Sequence, residues 1–366
     1  MLASGCDGRV LLGLSNGVLS LRHHQLLWAA LIAVGALPVR DARSGAPSAP
    51  GSYRMITQYP IGGNDTGYDY LRLDAATRRA FVAHANRVEV LNIDTGQKLG
   101  EITGMHGVHG IELIPELGKG YTSNGLDRTV TVFESSTLQF RKLIRYTGVK
   151  PDAIQYDPDS RRLFVVNGGA SGDVTIIDPS NDAIVDTVDL GGSKLEQIAF
   201  DGRGRAFVND EGKSVIHVFD THGLKAVAQW SLGGCEDPTG MAIDRVHHRV
   251  FAACGNEKLA VLDSDDGHVV ALPAIGRDPD GAVFDAKTQR IFTSNREGTL
   301  SVLREVSPDR YQTLQTLTTQ PGARTLAMDE NTGRIYLPTA RTGAAPAGGG
   351  TAPILPQTFT LLVLGP

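Results

Sequence analysis

Apolar and polar residues alternate in short runs along most of this chain, rather than recurring at helical intervals. In one representative stretch, Ala153-Ile154-Gln155-Tyr156 is followed by the turn residues Asp157-Pro158-Asp159-Ser160 and then by Arg162-Leu163-Phe164-Val165-Val166. Gly168-Gly169 precede Val174-Thr175-Ile176-Ile177-Asp178, and a Pro/Ser/Asn turn leads into Ala183-Ile184-Val185-Asp186-Thr187-Val188. The pattern predicts four short antiparallel strands joined by tight turns. It recurs seven times, anchored by Phe81, Tyr121, Phe164, Phe207, Phe251, Phe292 and Tyr336 at spacings of 40, 43, 43, 44, 41 and 44 residues. An Asp stands six or seven residues before the aromatic in six repeats (Asp74, Asp157, Asp201, Asp244, Asp285 and Asp329), and Ile114 takes its place in the second.

A four-stranded unit repeating every 40–45 residues is a propeller blade. One such unit cannot bury both faces of its sheet, so blades must stack until the ring closes. The expected fold is therefore all-β: a seven-bladed β-propeller of four-stranded antiparallel blades. The last repeat supplies strands near 325–328, 334–337 and 358–364 but no fourth strand, and 54–59 fits as the missing one, so an N-terminal strand should close the ring. Residues 54–366 read as a single domain, with 343–356 as a loop insertion in the last blade.

Composition agrees with many turns: 43 of 366 residues are glycine, about 12% against a usual 7%. With 41% hydrophobic and 20% charged residues, the chain has material for a sizeable core and is not a disordered protein. The uncharged run 26–37 follows Arg22, His23 and His24. It is too short to cross a bilayer core of about 30 Å as a helix, and its flanks fit a secretory signal. Residues 1–42 are read as that signal segment, the first 21 being either an extended leader or an over-long start, and 43–53 as a flexible linker. Export to the periplasm or the exterior follows, with no transmembrane segment after signal removal. A net charge of −5 argues against nucleic acid as a partner. Cys235 and Cys254 remain after signal removal, at the same end of the fifth repeat, either as a disulfide or as two buried thiols.

Tyr121-Thr122-Ser123-Asn124, with the variants Phe164-Val165-Val166-Asn167 and Phe292-Thr293-Ser294-Asn295, resembles the tetrad of the YVTN (YncE-like) family of β-propellers, a WD40-like architecture. Val174-Thr175-Ile176-Ile177-Asp178 and Val261-Leu262-Asp263 are similar to that family's following strand. The resemblance covers about 54–364. It implies the propeller fold and, for most members, export. Related propellers act as binding platforms, lactonases, lyases or holders of redox cofactors, so the fold leaves the chemistry open.

Aligning the repeats gives one column five residues before the Asp position: Asp69, His109, Asp152, Glu196, Thr239, Asp280 and Arg324. It should ring the mouth of the central channel, where each innermost strand begins. The apolar residues two and four places later form the core between blades. Four carboxylates in one ring would focus a negative potential and attract a metal ion, a cationic small molecule or a protein partner. His84 at the end of a second strand, with His106, His109 and Asp69 beside it, suggests a divalent metal such as zinc or copper. Tyr68 and Tyr70 add polar contacts. No nucleophile elbow, zincin helix, phosphate loop or haem attachment motif is present. His247-His248 falls in a turn on the opposite face and reads as solvated. The first expectation is a monomeric binding or scaffold protein whose ligand sits at the acidic mouth. The alternative is a metal-dependent lactonase- or lyase-type enzyme in which Asp152, Glu196, Asp280 or His109 is ligand or base.

Overall fold

The computed structural model describes residues 51–64, 67–146, 148–345 and 352–366. Seven antiparallel sheets of four strands each are present. Six take their strands in chain order and span 71–102, 108–145, 151–189, 195–231, 238–271 and 279–318. In the seventh, the order from outside to inside is Arg54–Pro60, Thr360–Gly365, Arg334–Thr339 and Ala327–Asp329. The N-terminal strand thus closes the ring, with Tyr59 opposite Leu361 in the ladder. The only helix among the described residues is one 3₁₀ turn, Pro115–Leu117.

The core lies between blades. Seven buried apolar clusters each join two neighbours, and together they account for all seven seams of the ring. Phe164 of blade three, for example, packs 5.1 Å from Phe200 of blade four. Between the first and last blades, Leu71 and Val82 meet Tyr336 and Leu361. Blades approach closely enough on the channel side to require glycine. A Cβ on Gly240 would lie 2.7 Å from the backbone of Gly281, and one on Gly110 would lie 2.7 Å from the Asp152 carbonyl. Part of the glycine surplus therefore serves blade contact rather than turns.

Two residues before each aromatic anchor stands a basic residue: Arg79, Lys119, Arg162, Arg205, Arg249, Arg290 or Arg334. Six of them reach the following blade's turn face: Arg79 to the Ser135 carbonyl, Lys119 to Asp182, Arg162 to the Thr221 carbonyl, Arg205 to Asp265, Arg249 to Asp309 and Arg334 toward Asp94. Arg290 instead donates to the Gly51 carbonyl. The Asp column lies on this face too. Most of its members cap their own turn, as Asp157 does by accepting from Ser160 and Asp285 from Thr288.

The segment 1–42 read as a signal lies outside the described residues, as does the expected linker up to residue 50. Tyr53, at the linker's end, belongs to the ring: it is buried, donates to the Gly333 carbonyl and packs 4.9 Å from Phe292. The described ends of the 343–356 insertion are tied together, with Gly343 N donating to Pro353 O and Leu355 N to Arg341 O. No helix among the described residues is long and apolar enough to cross a membrane.

Candidate functional site

Each innermost strand starts at the same end of the ring, because every blade crosses from its outer strand to its neighbour's inner strand there. All seven residues of the predicted column, from Asp69 to Arg324, consequently line one pocket of about 300 Å³ at the channel mouth. Asp69, Asp152, Glu196 and Asp280 are each at most 8% exposed. Tyr70 forms part of the floor and also lines the channel beneath.

The ring carries more cations than the Arg324 and His109 that the sequence column placed among its four carboxylates. Lys150, Lys194 and Arg296 also line it, together with Glu211, Asp237 and Asp278. Arg324 bridges two carboxylates, at 2.9 Å from Asp280 and 3.6 Å from Asp69. Lys150 stands 3.1 Å from Asp152, Arg296 3.3 Å from Asp280, and Lys194 3.5 Å from Glu196 while also pairing with Glu211. His109 Nδ1 lies 2.6 Å from Asp69 and 3.8 Å from Asp152. Thr239 donates to the Pro279 carbonyl and tethers two blades.

Most of the added residues had a sequence signal. Lys150, Lys194, Asp237 and Asp278 stand two places before a column residue, in the loop that enters each innermost strand, and Lys150, Asp237 and Asp278 take a left-handed backbone there. The corresponding residues in the other blades are glycines. Glu211 and Arg296 directly follow the ends of second strands.

Carboxylates outnumber fixed cations seven to four in this pocket, and the imbalance appears in how they titrate. Burial raises Asp69, but Arg324 and the His109 contact outweigh it and hold this carboxyl below the usual range. Burial keeps Asp152 above that range, with repulsion from Asp69 adding to it against the pull of His109 and Lys150. Glu196 is pushed well above it, by burial first and then by Asp152 and Asp280. Burial lowers His109, yet Asp69 and Asp152 leave its pKa raised. One end of the pocket is thus charge-matched, while Glu196 on the other wall carries a carboxyl that favours its proton or an added cation.

The predicted four-residue metal cluster does not assemble. His84 is buried beside Glu89 (3.1 Å) and its ring packs 4.2 Å from Phe359, because the end of its strand turns into the seam with blade seven. His106 is exposed on its loop. Only His109 and Asp69 of that set come together, and Asp152 joins them, all three offering ligand atoms within 4.8 Å of one another. Cys235 and Cys254 form a disulfide with Cα atoms 5.6 Å apart. The asparagines that end the second strands are structural: Asn124 donates to Thr129 and Thr131, and Asn295 to Thr299 and Ser301. Ser123 of the tetrad donates across the seam to the Asp152 carbonyl, which helps set that ring residue.

Below the mouth, Arg72 and Glu112 form an ion pair (2.9 Å) across the channel wall. Burial raises Glu112 to about 6 despite Arg72. Beside the mouth, Arg296 and Arg324 also line a second, more open pocket with Tyr68, Pro321 and Ile354.

No family model matches this chain, and none of the curated proteins matches it. Among solved structures, "Crystal structure of RRP9 WD40 repeats" and "Structure of U3-55K" each align with a TM-score of 0.71, covering 87% of this chain and 99% of theirs at 10% identity. At that identity the likeness is one of fold: a seven-bladed β-propeller with WD40-repeat structural neighbours.

Proposed function

We propose that this protein is an exported binding propeller whose ligand site is the charged channel mouth. The observation that carries the reading is the convergence of one residue from every blade on a single polar pocket of about 300 Å³. A pocket with excess carboxylate and alternating cations suits a compact molecule bearing an amine beside hydrogen-bonding groups. The amine would sit against Glu196, where no full cation match exists, and an anionic group of the same molecule would face Lys150 or Arg324. The neighbouring pocket at Ile354 and Pro321 leaves room for an apolar extension. A disulfide between Cys235 and Cys254 and the apolar run before the ring favour an oxidising compartment.

Titration calorimetry and thermal-shift measurements with L-arginine and spermidine as probes test this reading. Binding that weakens at least tenfold in Glu196→Gln and Asp280→Asn supports it. An absence of binding, or binding indifferent to both substitutions, overturns it.

The Asp69, His109 and Asp152 grouping favours a second reading, a divalent-ion site serving lactonase- or lyase-type chemistry. Metal-bound water there would be the nucleophile or base, and the ion would have to compete with Arg324 and Lys150 for the same carboxylates. Metal analysis before and after chelation decides it. Bound metal that is lost in the Asp69→Ala, His109→Ala double variant supports the enzyme reading. No bound ion, and no thermal shift with calcium, magnesium, zinc or copper, removes it.

A further inference from the structure

The turn face repeats itself around the ring, which makes its departures conspicuous. The turn-capping Asp normally accepts from a hydroxyl three residues later: Thr77, Ser160, Thr288 and Thr332 serve Asp74, Asp157, Asp285 and Asp329. In blade five that place is taken by His247, whose Nδ1 lies 2.6 Å from Asp244.

A second departure lies in blade six. The residue whose N–H bonds back to the carbonyl just before the clamp residue is Ile93, Ser135, Thr221 or Ser264 in four other blades, and Glu305 in this one. The two departures meet. Glu305 Oε1 is 3.4 Å from His247 Nδ1, and Asp244, His247 and Glu305 offer ligand atoms within 4.8 Å of one another.

Glu305 has no ordinary structural partner there. Its side chain is 1% exposed, no fixed donor satisfies either carboxylate oxygen, and the groups against it are His247 and the Asp244 carboxyl. Arg249, a fixed cation whose charge reaches Glu305, donates its hydrogen bonds to Asp263 and Asp309 instead. A buried carboxylate left without a donor is costly unless a cation or a proton compensates it. His247, by contrast, is 36% exposed, which gives the cluster a route to solvent.

We propose that Asp244, His247 and Glu305 form a divalent-cation site of the zinc class on the turn face, separate from the channel mouth. One imidazole nitrogen and two carboxylates are a borderline nitrogen/oxygen donor set suited to zinc rather than to calcium, which prefers oxygen alone. Tetrahedral zinc places its ligand atoms about 3.3 Å apart. The His247–Glu305 separation already matches, and the His247–Asp244 contact must open by about 0.7 Å to reach that spacing. Water fills the position on the solvent side. The ion neutralises both carboxylates and joins blades five and six, beside the Arg249 clamp of that seam. The exposed grouping Asp263, Asp266 and His268 on the same face has no buried, unsatisfied member and serves as the control.

Equilibrium dialysis against zinc chloride, read by metal analysis and by melting temperature, tests the site. It is run on the full chain and on a His109→Ala, Asp152→Asn variant that removes the mouth grouping. One zinc per chain should remain in that variant and raise the melting temperature. Glu305→Gln and His247→Ala should each weaken this binding at least tenfold, while His268→Ala leaves it unchanged. The same substitutions in the otherwise unaltered chain keep the test readable if the mouth variant does not fold. No retained zinc, or zinc indifferent to Glu305→Gln, overturns the proposal. If the unsubstituted chain takes up no zinc and Glu305→Gln raises its melting temperature, the proposal is likewise overturned, and a proton rather than an ion compensates the carboxyl pair. Failure of the amine probes at the mouth leaves this site untouched, because no residue is common to both.

Discussion

The two faces of the ring are built from the same seven repeats and use charge in opposite ways. On the turn face the same residue types recur blade after blade: an Asp closing its own turn and a basic side chain reaching for the next blade. At the mouth the equivalent positions vary, running Asp, His, Asp, Glu, Thr, Asp and Arg, five residue types in seven blades. Repetition marks chemistry that each blade needs for itself, since every blade has the same turn to close and the same seam to seal. Variation marks a surface that the ring as a whole presents. That criterion is what favours the mouth as the proposed ligand site, and His247 with Glu305 is the place where the turn face departs from its repeat.

The largest effect expected from breaking this contrast is on the turn face. The Asp329 side chain is fully buried and bonds Arg78 of blade one at 2.8 Å as well as its own turn. Asp329→Ala should cost about 3 kcal/mol by opening the turn and removing one of the two carboxylates that hold Arg78, Asp94 being the other, read by urea denaturation, with amine binding at the mouth unchanged per folded molecule. Burial raises Asp329, but Arg78 and Thr332 outweigh it and lower its pKa. Its contribution is therefore present above the ordinary carboxylate range and is lost as pH falls through the lowered value. A stability loss confined to the mouth variants would reverse the assignment of the two faces.

The disulfide gives a similar magnitude at the opposite end. It closes a loop with a sequence separation of 19, and chain entropy assigns such a loop about 3 kcal/mol. Cys235→Ser together with Cys254→Ser should lower the denaturation midpoint to that of the reduced wild type. Equal midpoints for oxidised and reduced wild type would show that the blade holds without it.

Glu305 sharpens the comparison through pH. Burial, followed by Asp244, raises its carboxyl to about 7. A raised carboxyl pKa means that the unfolded chain ionises first, so stability falls as pH climbs from about 4.5 to about 7 and then levels off. In chelator, Glu305→Gln should match wild type near pH 5 and exceed it by roughly 2–3 kcal/mol near pH 8. Parallel pH profiles for the two proteins would mean that Glu305 is already compensated.

Glu196 should show the same sign at the mouth with a smaller effect, because Lys194 remains beside it to offset part of the penalty. Glu196→Gln is expected to gain about 1 kcal/mol above neutral pH while losing amine binding. A gain in stability without a loss of binding would move the ligand elsewhere.

The metal cluster predicted from sequence shows why the site was only partly legible. Column alignment placed His84 and His109 at the same end of adjacent blades, which is correct. It carried no information on radial depth, and His84 turns into the apolar seam against Phe359 while His109 faces the channel. Lys150 and Lys194, by contrast, were within reach of a sequence argument that extended the column by two residues. Their pairing with Asp152 and Glu196 changes an acidic ring into an alternating one.

What the sequence determined by itself was the blade count, the strand order within each blade, the closing strand and the ring of residues at the mouth. These follow from period-two alternation and turn residues, which act over a few neighbours and repeat seven times. Tertiary structure alone decided which charges touch. Asp69 and Arg324 meet only because the ring closes, and Glu305 meets His247 only because two blades stack. Alternation fixes which face a side chain takes, but ion pairing depends on distances of a few ångströms between separate blades, and no local pattern encodes those.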